Sequence, residues 1–255
     1  MDNQSIQLEE LVSYMDQTLN LQRIKDFAGA WNGLQVENRV PIQRIAAAVD
    51  ASLSTIRLVK EAGAQLLLVH HGLFWGPAKP WTGRCYEMIR FLVENEIAVY
   101  SAHLPLDAHD LWGNNAVICQ KLGLQDRVPF HEYEKTPTGF LATTERSRAD
   151  LKADLVRILG CEPLMIPGGP EICRKVGVIS GGAGSDLASI AKEEVDTLIT
   201  GEGPHWTYAL AEDLGVNVFY GGHYATETFG VRAFSEHLAQ KFGLESVFLD
   251  YPTGL

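Results

Sequence analysis

The chain has 255 residues, of which 46% are hydrophobic and 21% charged, so it is long enough and apolar enough to build a substantial buried core. Its formal net charge of −11 argues against non-specific binding to nucleic acid or anionic lipid. The longest apolar runs, Ile45–Val49 and Leu66–Val69, are far too short to span a membrane. Four scattered cysteines without a C-x-x-C pair are typical of reduced, buried thiols, which predicts a cytoplasmic protein.

The predicted elements begin with an amphipathic helix whose apolar positions repeat at helical spacing. A turn at Asn32-Gly33 and a proline at Pro41 separate this helix from the first long strand. From Arg44 onward, short apolar runs alternate with helical patterns, which predicts an α/β fold with parallel strands joined by helices. The apolar positions of the first helix are Leu8, Leu11, Val12, Met15 and Leu19.

Two parts of the sequence follow the same pattern, which indicates an internal duplication. Each part reads as a strand, a turn of small residues, a helix, a second strand, a polar pair and a glycine, and later a strand that ends in His with a carboxylate four residues on. We therefore expect two intertwined βαβαβ-type repeats, with mixed, mostly parallel sheets flanked by helices. The matching segments are Arg44–Gly72 with Lys175–Gly203, and Ala98–Asp107 with Val218–Glu227.

The duplication sets the expected domain boundaries. The first repeat would span residues 1–127 and the second residues 128–255, with an intervening subdomain at residues 128–170. Within this subdomain, residues 148–159 have helical spacing, and Ser147 is placed to cap the helix.

Imidazole and carboxylate groups follow three of the predicted strands, where the carboxyl ends of parallel strands gather functional side chains. This donor set favours zinc, manganese, iron, cobalt or nickel. One bridging carboxylate with two adjacent histidines also suits two ions about 3.5–4 Å apart. Adjacent strand residues point to opposite faces, so we expect the strand to end at His70 if both histidines bind metal. The residues concerned are His70 and His71, then His103 with Asp107, then His223 with Glu227.

Each of these residues also has an ordinary structural interpretation. A histidine at a strand end is usually a hydrogen-bonded or surface group, Asp107 can cap a helix, and Glu227 can lie on a solvated helix face. The duplicated spacing favours a functional interpretation for the set. His103 has two possible functional roles: it either supports the metal ligands through a hydrogen bond or transfers protons.

Two further features lie beside this set. The turn Gly181–Ser185 can bind an anion through its backbone N–H groups, but it lacks the lysine of a phosphate-binding loop, and close strand–helix packing explains it equally well. Glu202 corresponds to His71 in the duplication and is a second candidate for proton transfer. The absence of a G-x-S-x-G motif argues against a serine nucleophile.

Several segments resemble the NGG-interacting-factor-three-like family, also described as dinuclear-metal-centre hexameric proteins or GTP cyclohydrolase I type-two homologues. The resemblance extends over nearly the whole chain, and the HLPLDAH…GNNA block points to the short bacterial form. The matching segments are VDAS at Val49–Ser52, LLLVHHGLFW at Leu66–Trp75, HLPLDAH at His103–His109 with GNNA at Gly113–Ala116, TGE at Thr200–Glu202, and GGHYATETFG at Gly221–Gly230.

The resemblance implies a site for two divalent cations, in which His71 and Asp107 hold one ion, His70 and His223 hold the other, and Glu227 bridges both. It also implies a toroidal homohexamer whose metal sites face an internal cavity. Many family members carry a second His where this chain has Tyr224, a position outside the implied ligand set.

Two classes of function are compatible with such a site. The first is a metal-dependent hydrolase that acts on GTP, another nucleotide or a related small molecule, with His103 or Glu202 moving protons. The second is a non-catalytic carrier of a metal or metallocofactor, or a regulatory scaffold in which the metals are structural. Of the two, the sequence favours the hydrolase.

Overall fold

The structure is a computed structural model that describes residues 4–77 and 79–255. In chain order, its helices and strands are α1 Leu8–Thr18, β1 Gly33–Val36, β2 Arg44–Asp50, α2 Leu53–Glu61, β3 Leu66–His71, α3 Arg84–Glu94, β4 Ala98–Ser101, α4 Leu104–Asp107, α5 Asn114–Leu122, β5 Gln125–Tyr133, β6 Thr136–Ser147, α6 Arg148–Leu159, β7 Leu164–Pro167, β8 Ile172–Val178, α7 Leu187–Ile190 between two 3-10 helices (Ala183–Asp186 and Ala191–Glu193), β9 Thr197–Thr200, α8 Thr207–Leu214, β10 Asn217–Tyr220, α9 His223–Phe242 and β11 Glu245–Phe248.

The chain divides into two compact units. The first unit comprises Met1–Leu106 and Gly230–Tyr251, and the second comprises Asp107–Phe229 and Pro252–Leu255. Helix α9 therefore begins in the second unit and ends in the first.

The first unit contains a five-stranded sheet in the order β1-β4-β3-β2-β11. Strands β4, β3, β2 and β11 are parallel to one another, and β1 is antiparallel to β4 at the edge of the sheet. Strands β2 and β3 are continuous apolar runs, as expected for central parallel strands that are covered on both faces. Ser52 caps α2 by accepting a hydrogen bond from the backbone N–H of Thr55 at 3.1 Å.

The second unit contains a six-stranded sheet in the order β5-β6-β8-β9-β10-β7. Only β8, β9 and β10 are parallel to one another, and the outer pairs are antiparallel. Helix α6 begins and ends as its sequence predicts, with Ser147 accepting from the Asp150 backbone N–H and Gly160 in the left-handed conformation at the C-cap. The predicted α/β fold, with two mixed sheets flanked by helices, is confirmed.

The strand register within each sheet supports the duplication but corrects its second part. Ile45 pairs with Leu66 and Val176 pairs with Thr197, so in both sheets the partner lies 21 residues further along the chain. The next strands begin at Ala98, opposite Leu66, and at Asn217, opposite Thr197. The residue equivalent to Ala98 is therefore Asn217 and not Val218.

This one-residue offset separates the two histidines that the sequence pattern had matched. His103 precedes α4, whereas His223 is the first residue of α9. By strand register, His103 corresponds to Gly222, and His223 corresponds to Leu104. The His-x-x-x-carboxylate spacing that the two repeats share therefore does not mark structurally equivalent residues.

Two other expectations also need correction. Strand β3 continues through His71, which pairs in register with Asp50, so the expectation that it ends at His70 was wrong; the ring centroids of the two histidines nevertheless lie 4.9 Å apart. All four cysteines are free, but only Cys119 and Cys173 are buried, while Cys161 is exposed.

Within residues 4–77 and 79–255, no helix combines the length and apolar character that a membrane span requires.

Candidate metal centre

The first unit brings three imidazoles together at the carboxyl end of its parallel strands. His70 and His71 are the last two residues of β3, and His103 lies two residues beyond β4. Because Val69 of β3 pairs with Ser101 of β4, the two strands end side by side. The ring centroids of His70 and His103 are 4.8 Å apart, and those of His70 and His71 are 4.9 Å apart.

The three imidazoles are close enough to form a metal site. Each of the three offers one ring nitrogen that lies within 4.8 Å of the nitrogens offered by the other two. His70 is fully buried, and the side chain of His71 is 21% exposed, so the cluster extends from the interior to the surface of the unit. This arrangement can hold a metal ion.

In each ring, Nδ1 lies within hydrogen-bonding distance of an oxygen that acts as the acceptor. A ring whose Nδ1–H donates to oxygen keeps its lone pair on Nε2, which is the usual arrangement behind a metal-bound histidine. The three pairs are His70 with the Ala102 carbonyl at 3.0 Å, His71 with Asp50 Oδ1 at 2.9 Å, and His103 with Asp26 Oδ1 at 2.8 Å.

Asp26 is a buried carboxylate that holds His103 in place. Its side chain is 5% exposed and also accepts hydrogen bonds from Asn32 Nδ2 at 2.7 Å and from the backbone N–H groups of Phe27 and Leu104. Burial by itself raises the pKa of Asp26, but the hydrogen bond and charge interaction with His103 and the bonds from Asn32 and Phe27 bring it below its usual value. Asp26 is therefore an ionised acceptor at neutral pH.

Trp75 packs against the outer side of this cluster. Its ring meets the His71 ring edge-on, with 5.6 Å between centroids, and the His103 ring edge-on at 5.0 Å. The indole Nε1–H donates to the Gly72 carbonyl at 3.0 Å, which fixes the orientation of the ring. Trp75 thus restricts how far His71 and His103 can rotate.

The second unit places one imidazole between two carboxylates. His223 and Glu227 lie one turn apart on α9, as their spacing predicts, with 3.2 Å between His223 Nε2 and Glu227 Oε1. On the other side of the ring, His223 Nδ1 lies 2.9 Å from Glu202 Oε1. Glu227 is buried, whereas the side chain of Glu202 is half-exposed.

These carboxylates change the proton affinity of His223. The hydrogen bond to Glu227 is the largest reason that the pKa of His223 rises to about 9, and the charge of Glu227 and the bond to Glu202 add to it, while burial opposes the rise. At neutral pH, His223 is therefore a cation between the side chains of Glu202 and Glu227.

Asp107 is positioned within the second unit by two asparagines of the GNNA block. Asn114 Nδ2 donates to Asp107 Oδ1 at 2.8 Å, and Ser180 Oγ donates to the same oxygen at 3.3 Å. Asn115 in turn accepts a hydrogen bond from the Ser180 backbone N–H at 2.7 Å. Both asparagines are fully buried, so the block acts as internal support for Asp107.

The glycine turn after β8 is explained by close packing against α9. Gly181 has a φ of +71°, and a Cβ atom at this position would collide with Oε1 of Glu227. Its backbone N–H donates to Thr226 Oγ1 at 3.0 Å. The turn therefore sets the position of the α9 residues that carry the candidate ligands.

Sequence reasoning did not identify Asp26 or Asp50. Asp50 is the last residue of β2 and lies beside His71. It was therefore detectable from the sequence, by the rule that functional side chains gather at the carboxyl ends of parallel strands. Asp26 lies in an irregular segment between α1 and β1, where the sequence carries no motif or periodicity.

The chain is similar to known proteins over nearly its full length. A family model described as Duf34/NIF3 (NGG1p interacting factor 3) matches residues 6–253. A protein of Archaeoglobus fulgidus named GTP cyclohydrolase 1 type 2 homolog is 40% identical over 248 residues, which cover 97% of this chain and 99% of the relative. A protein of the same name from Deinococcus radiodurans is 40% identical over 249 residues, which cover 97% of this chain and 94% of the relative.

The fold also matches a solved structure. The crystal structure of TTHA1606 from Thermus thermophilus superposes with a TM-score of 0.90 at 38% sequence identity, covering 97% of this chain and 99% of the other. The family match and the sequence identities agree with the resemblance carried by the motifs. The chain therefore belongs to the NIF3 family.

Proposed function

We propose that this protein binds two divalent cations and that the metal-bound form is a hydrolase for a nucleotide or a related small molecule. In this proposal, His71 and Asp107 hold one ion, His70 and His223 hold the other, and Glu227 bridges both. The ions are drawn from zinc, manganese, iron, cobalt and nickel, because the donors are imidazole nitrogens and carboxylate oxygens.

The observation that carries the proposal is the fixed orientation of the imidazoles in the first unit. Three rings with their Nδ1 atoms bound to acceptor oxygens form a set of nitrogen donors, which is the usual arrangement behind metal-bound histidines. In the second unit, Glu227 provides a buried carboxylate beside His223, and Asp107 provides a second buried carboxylate that Asn114 holds in place. The residues present therefore fit a metal centre.

With divalent cations bound, these residues would hold a centre that can provide a hydroxide nucleophile at neutral pH and stabilise negative charge on the group under attack. Side chains of this protein would then carry out the proton transfers. His103 is held by Asp26 with its other ring nitrogen directed away from that carboxylate, and Glu202 is half-exposed beside His223. Both are suited to accept a proton from one group and donate it to another.

The name of the curated relatives indicates a first substrate class to test. GTP and other purine nucleotides have a ring carbon between two nitrogens that a hydroxide can attack, and their phosphate esters offer a second electrophile. We therefore propose that this chain hydrolyses a nucleotide. From the family resemblance, we also propose that the chains assemble into a homohexamer, which light scattering coupled to size exclusion would test.

The first experiment is to measure metal content per chain by elemental mass spectrometry. We expect close to two ions in the wild type, fewer in a His223→Ala variant, and no change in a His237→Gln variant, which alters a histidine bonded to Tyr14 outside the candidate site. The protein is then screened with the bound metal against nucleotides, esters and phosphodiesters. Saturable turnover that is lost in His223→Ala supports the hydrolase.

Two results would contradict the proposal. Bound metal without turnover of any nucleotide, ester or phosphodiester would exclude the hydrolase and favour a carrier of metal or metallocofactor. Metal content near zero after incubation with zinc, manganese and iron would exclude the metal centre itself.

A further inference from the structure

We infer that an exposed aromatic surface of the first unit binds the base of a nucleotide, so that the base, and not the phosphate group, lies next to His71 and His103. This surface, the aromatic wall, consists of the side chains of Phe27 and Trp75. The inference rests on the proposed function and deepens it, because it specifies which part of the substrate the protein recognises.

Both rings of the aromatic wall are open to solvent. Phe27 is 44% exposed and Trp75 is 37% exposed. A third exposed ring belongs to Trp31, whose backbone N–H donates to the Phe74 carbonyl at 3.3 Å. Large aromatic side chains are mostly buried in folded proteins, and a group of exposed ones marks an interaction surface.

The aromatic wall lies directly against two histidines. The ring centroid of Phe27 is 5.7 Å from that of His103. The ring centroid of Trp75 is 5.0 Å from that of His103 and 5.6 Å from that of His71. All four residues belong to the first unit, so these distances are set within one compact body. A flat ligand that packs on the wall therefore lies close to both imidazoles.

The two loops that carry the wall are fastened to each other. Gln35 of β1 joins them, because its Nε2 donates to the Trp31 carbonyl at 2.7 Å and its Oε1 accepts from the Leu73 backbone N–H at 2.6 Å. The loops also touch directly, since a Cβ atom at Gly29 would collide with the backbone of Gly76. A surface that is fixed in advance loses little conformational freedom when a ligand binds.

The wall offers ring surface to a ligand rather than hydrogen bonds. The indole Nε1–H of Trp75 already donates to the Gly72 carbonyl at 3.0 Å, and the side chain of Phe27 has no polar atom. Aromatic side chains stack on nucleobases because every base has a π face. Phosphate groups instead require cationic side chains or backbone N–H groups. The wall therefore suits the base of a nucleotide and not its phosphate.

The position of the wall favours a small molecule over a protein as its ligand. The side chain of His71 is 21% exposed beside Trp75. A polypeptide broad enough to cover Phe27 and Trp75 would also cover His71 and close the candidate centre to substrate. A base covers about the area of one aromatic side chain, so it can occupy the wall and still leave the candidate centre accessible.

The test measures ligand binding to the full-length protein after a chelator has removed metal, by saturation-transfer NMR. The probes are guanosine monophosphate, guanosine and ribose phosphate. We expect stronger saturation of the base proton than of the ribose protons. Guanosine should bind nearly as tightly as guanosine monophosphate, and ribose phosphate should bind at least about 10-fold more weakly, because it has no ring to stack.

Substitutions in the wall should weaken this binding in proportion to the ring that is lost. Trp75→Leu should weaken guanosine binding by about 5- to 100-fold, and Trp75→Phe should lose less. Phe27→Leu should also weaken it, by a smaller factor than Trp75→Leu. The control is Tyr14→Leu, which removes a ring of the same unit that packs on Phe242 at the amino end of the sheet and should leave binding unchanged. Thermal melts show whether each variant is folded, and Trp75→Phe with Phe27→Leu provides the test if Trp75→Leu is not.

The outcomes separate this inference from the proposed function. Guanosine binding that depends on Trp75, in a protein that holds no metal and turns over no substrate, would support the inference and contradict the proposed function. Two bound ions with turnover, but unchanged guanosine affinity in Trp75→Leu, would overturn the inference alone.

Three other results would also overturn the inference. The first is a wild type that binds none of the probes, and the second is ribose phosphate that binds as tightly as guanosine. The third is a smaller assembly of Trp75→Leu in light scattering with unchanged guanosine binding, because the wall would then be a contact between chains.

Discussion

Replacing Asn115 with leucine should lower the free energy of unfolding of the second unit, because this side chain bonds to buried backbone groups. Asn115 is fully buried, and its side chain joins two parts of the chain. Its Oδ1 accepts from the Ser180 backbone N–H at 2.7 Å, and its Nδ2 donates to the Thr138 carbonyl at 2.8 Å. Asn115→Leu removes both bonds, and a longer one from Nδ2 to the Asp107 carbonyl at 3.5 Å, while keeping the number of side-chain heavy atoms the same.

The expected cost follows from the two backbone groups that lose their partner. Each unsatisfied, partly buried polar group costs about 1–2 kcal/mol, so the free energy of unfolding should fall by about 2–4 kcal/mol. The matched control is Asn95→Leu at the end of α3, where a partly buried amide makes a single bond to the Phe91 carbonyl at 2.7 Å. The control should lose no more than about 1 kcal/mol.

Urea denaturation followed by circular dichroism, at equal protein concentrations, measures both variants against the wild type. Since Ser180 also donates to Asp107, Asn115→Leu should in addition lower the metal content per chain. A loss of stability no larger than that of Asn95→Leu would refute the assignment of Asn115 as internal support. Unchanged metal content would refute the link from Asn115 to Asp107.

Three further substitutions or modifications test other parts of the structure. Gly181→Ala should lower metal content, because its Cβ would displace Glu227, and the left-handed backbone should cost about 1–2 kcal/mol in the free energy of unfolding. Ser147→Ala removes the cap of α6 and should cost about 0.5–2 kcal/mol in the same urea assay. Iodoacetamide should label the exposed Cys161 first, and Cys119 only on unfolding, because burial raises the pKa of its thiol to about 12; early labelling of Cys119, read by mass spectrometry, would contradict this.

The elements with strong local patterns were predictable from the sequence. The cap at Ser147 and the glycine at Gly160 bound α6 at the expected residues, and the apolar runs of β2 and β3 mark central strands. The spacing of His223 and Glu227 also gave their position on one face of α9. Each of these features depends on residues within a few positions of one another.

The features that the sequence did not reveal depend on contacts between distant segments. Asp26 reaches His103 from 77 residues earlier in the chain, and Asn115 reaches Ser180 across 65 residues. Asp26 lies in a segment without periodicity, and the GNNA block that contains Asn115 was matched by resemblance without a structural role being assigned to it. Only the fold shows that they are buried and that they support candidate ligands.

The two repeats share a strand register but differ in their chemistry. The first ends its strands in three imidazoles, each with an acceptor oxygen behind it, whereas the second ends in one imidazole between Glu202 and Glu227. The one-residue offset between His103 and His223 fits this divergence, because equivalent backbone positions no longer carry equivalent side chains. A set of imidazole nitrogens and a set rich in carboxylate oxygens differ in the metals that they favour. The two repeats therefore keep a common backbone pattern while the ends of their strands carry different donor atoms.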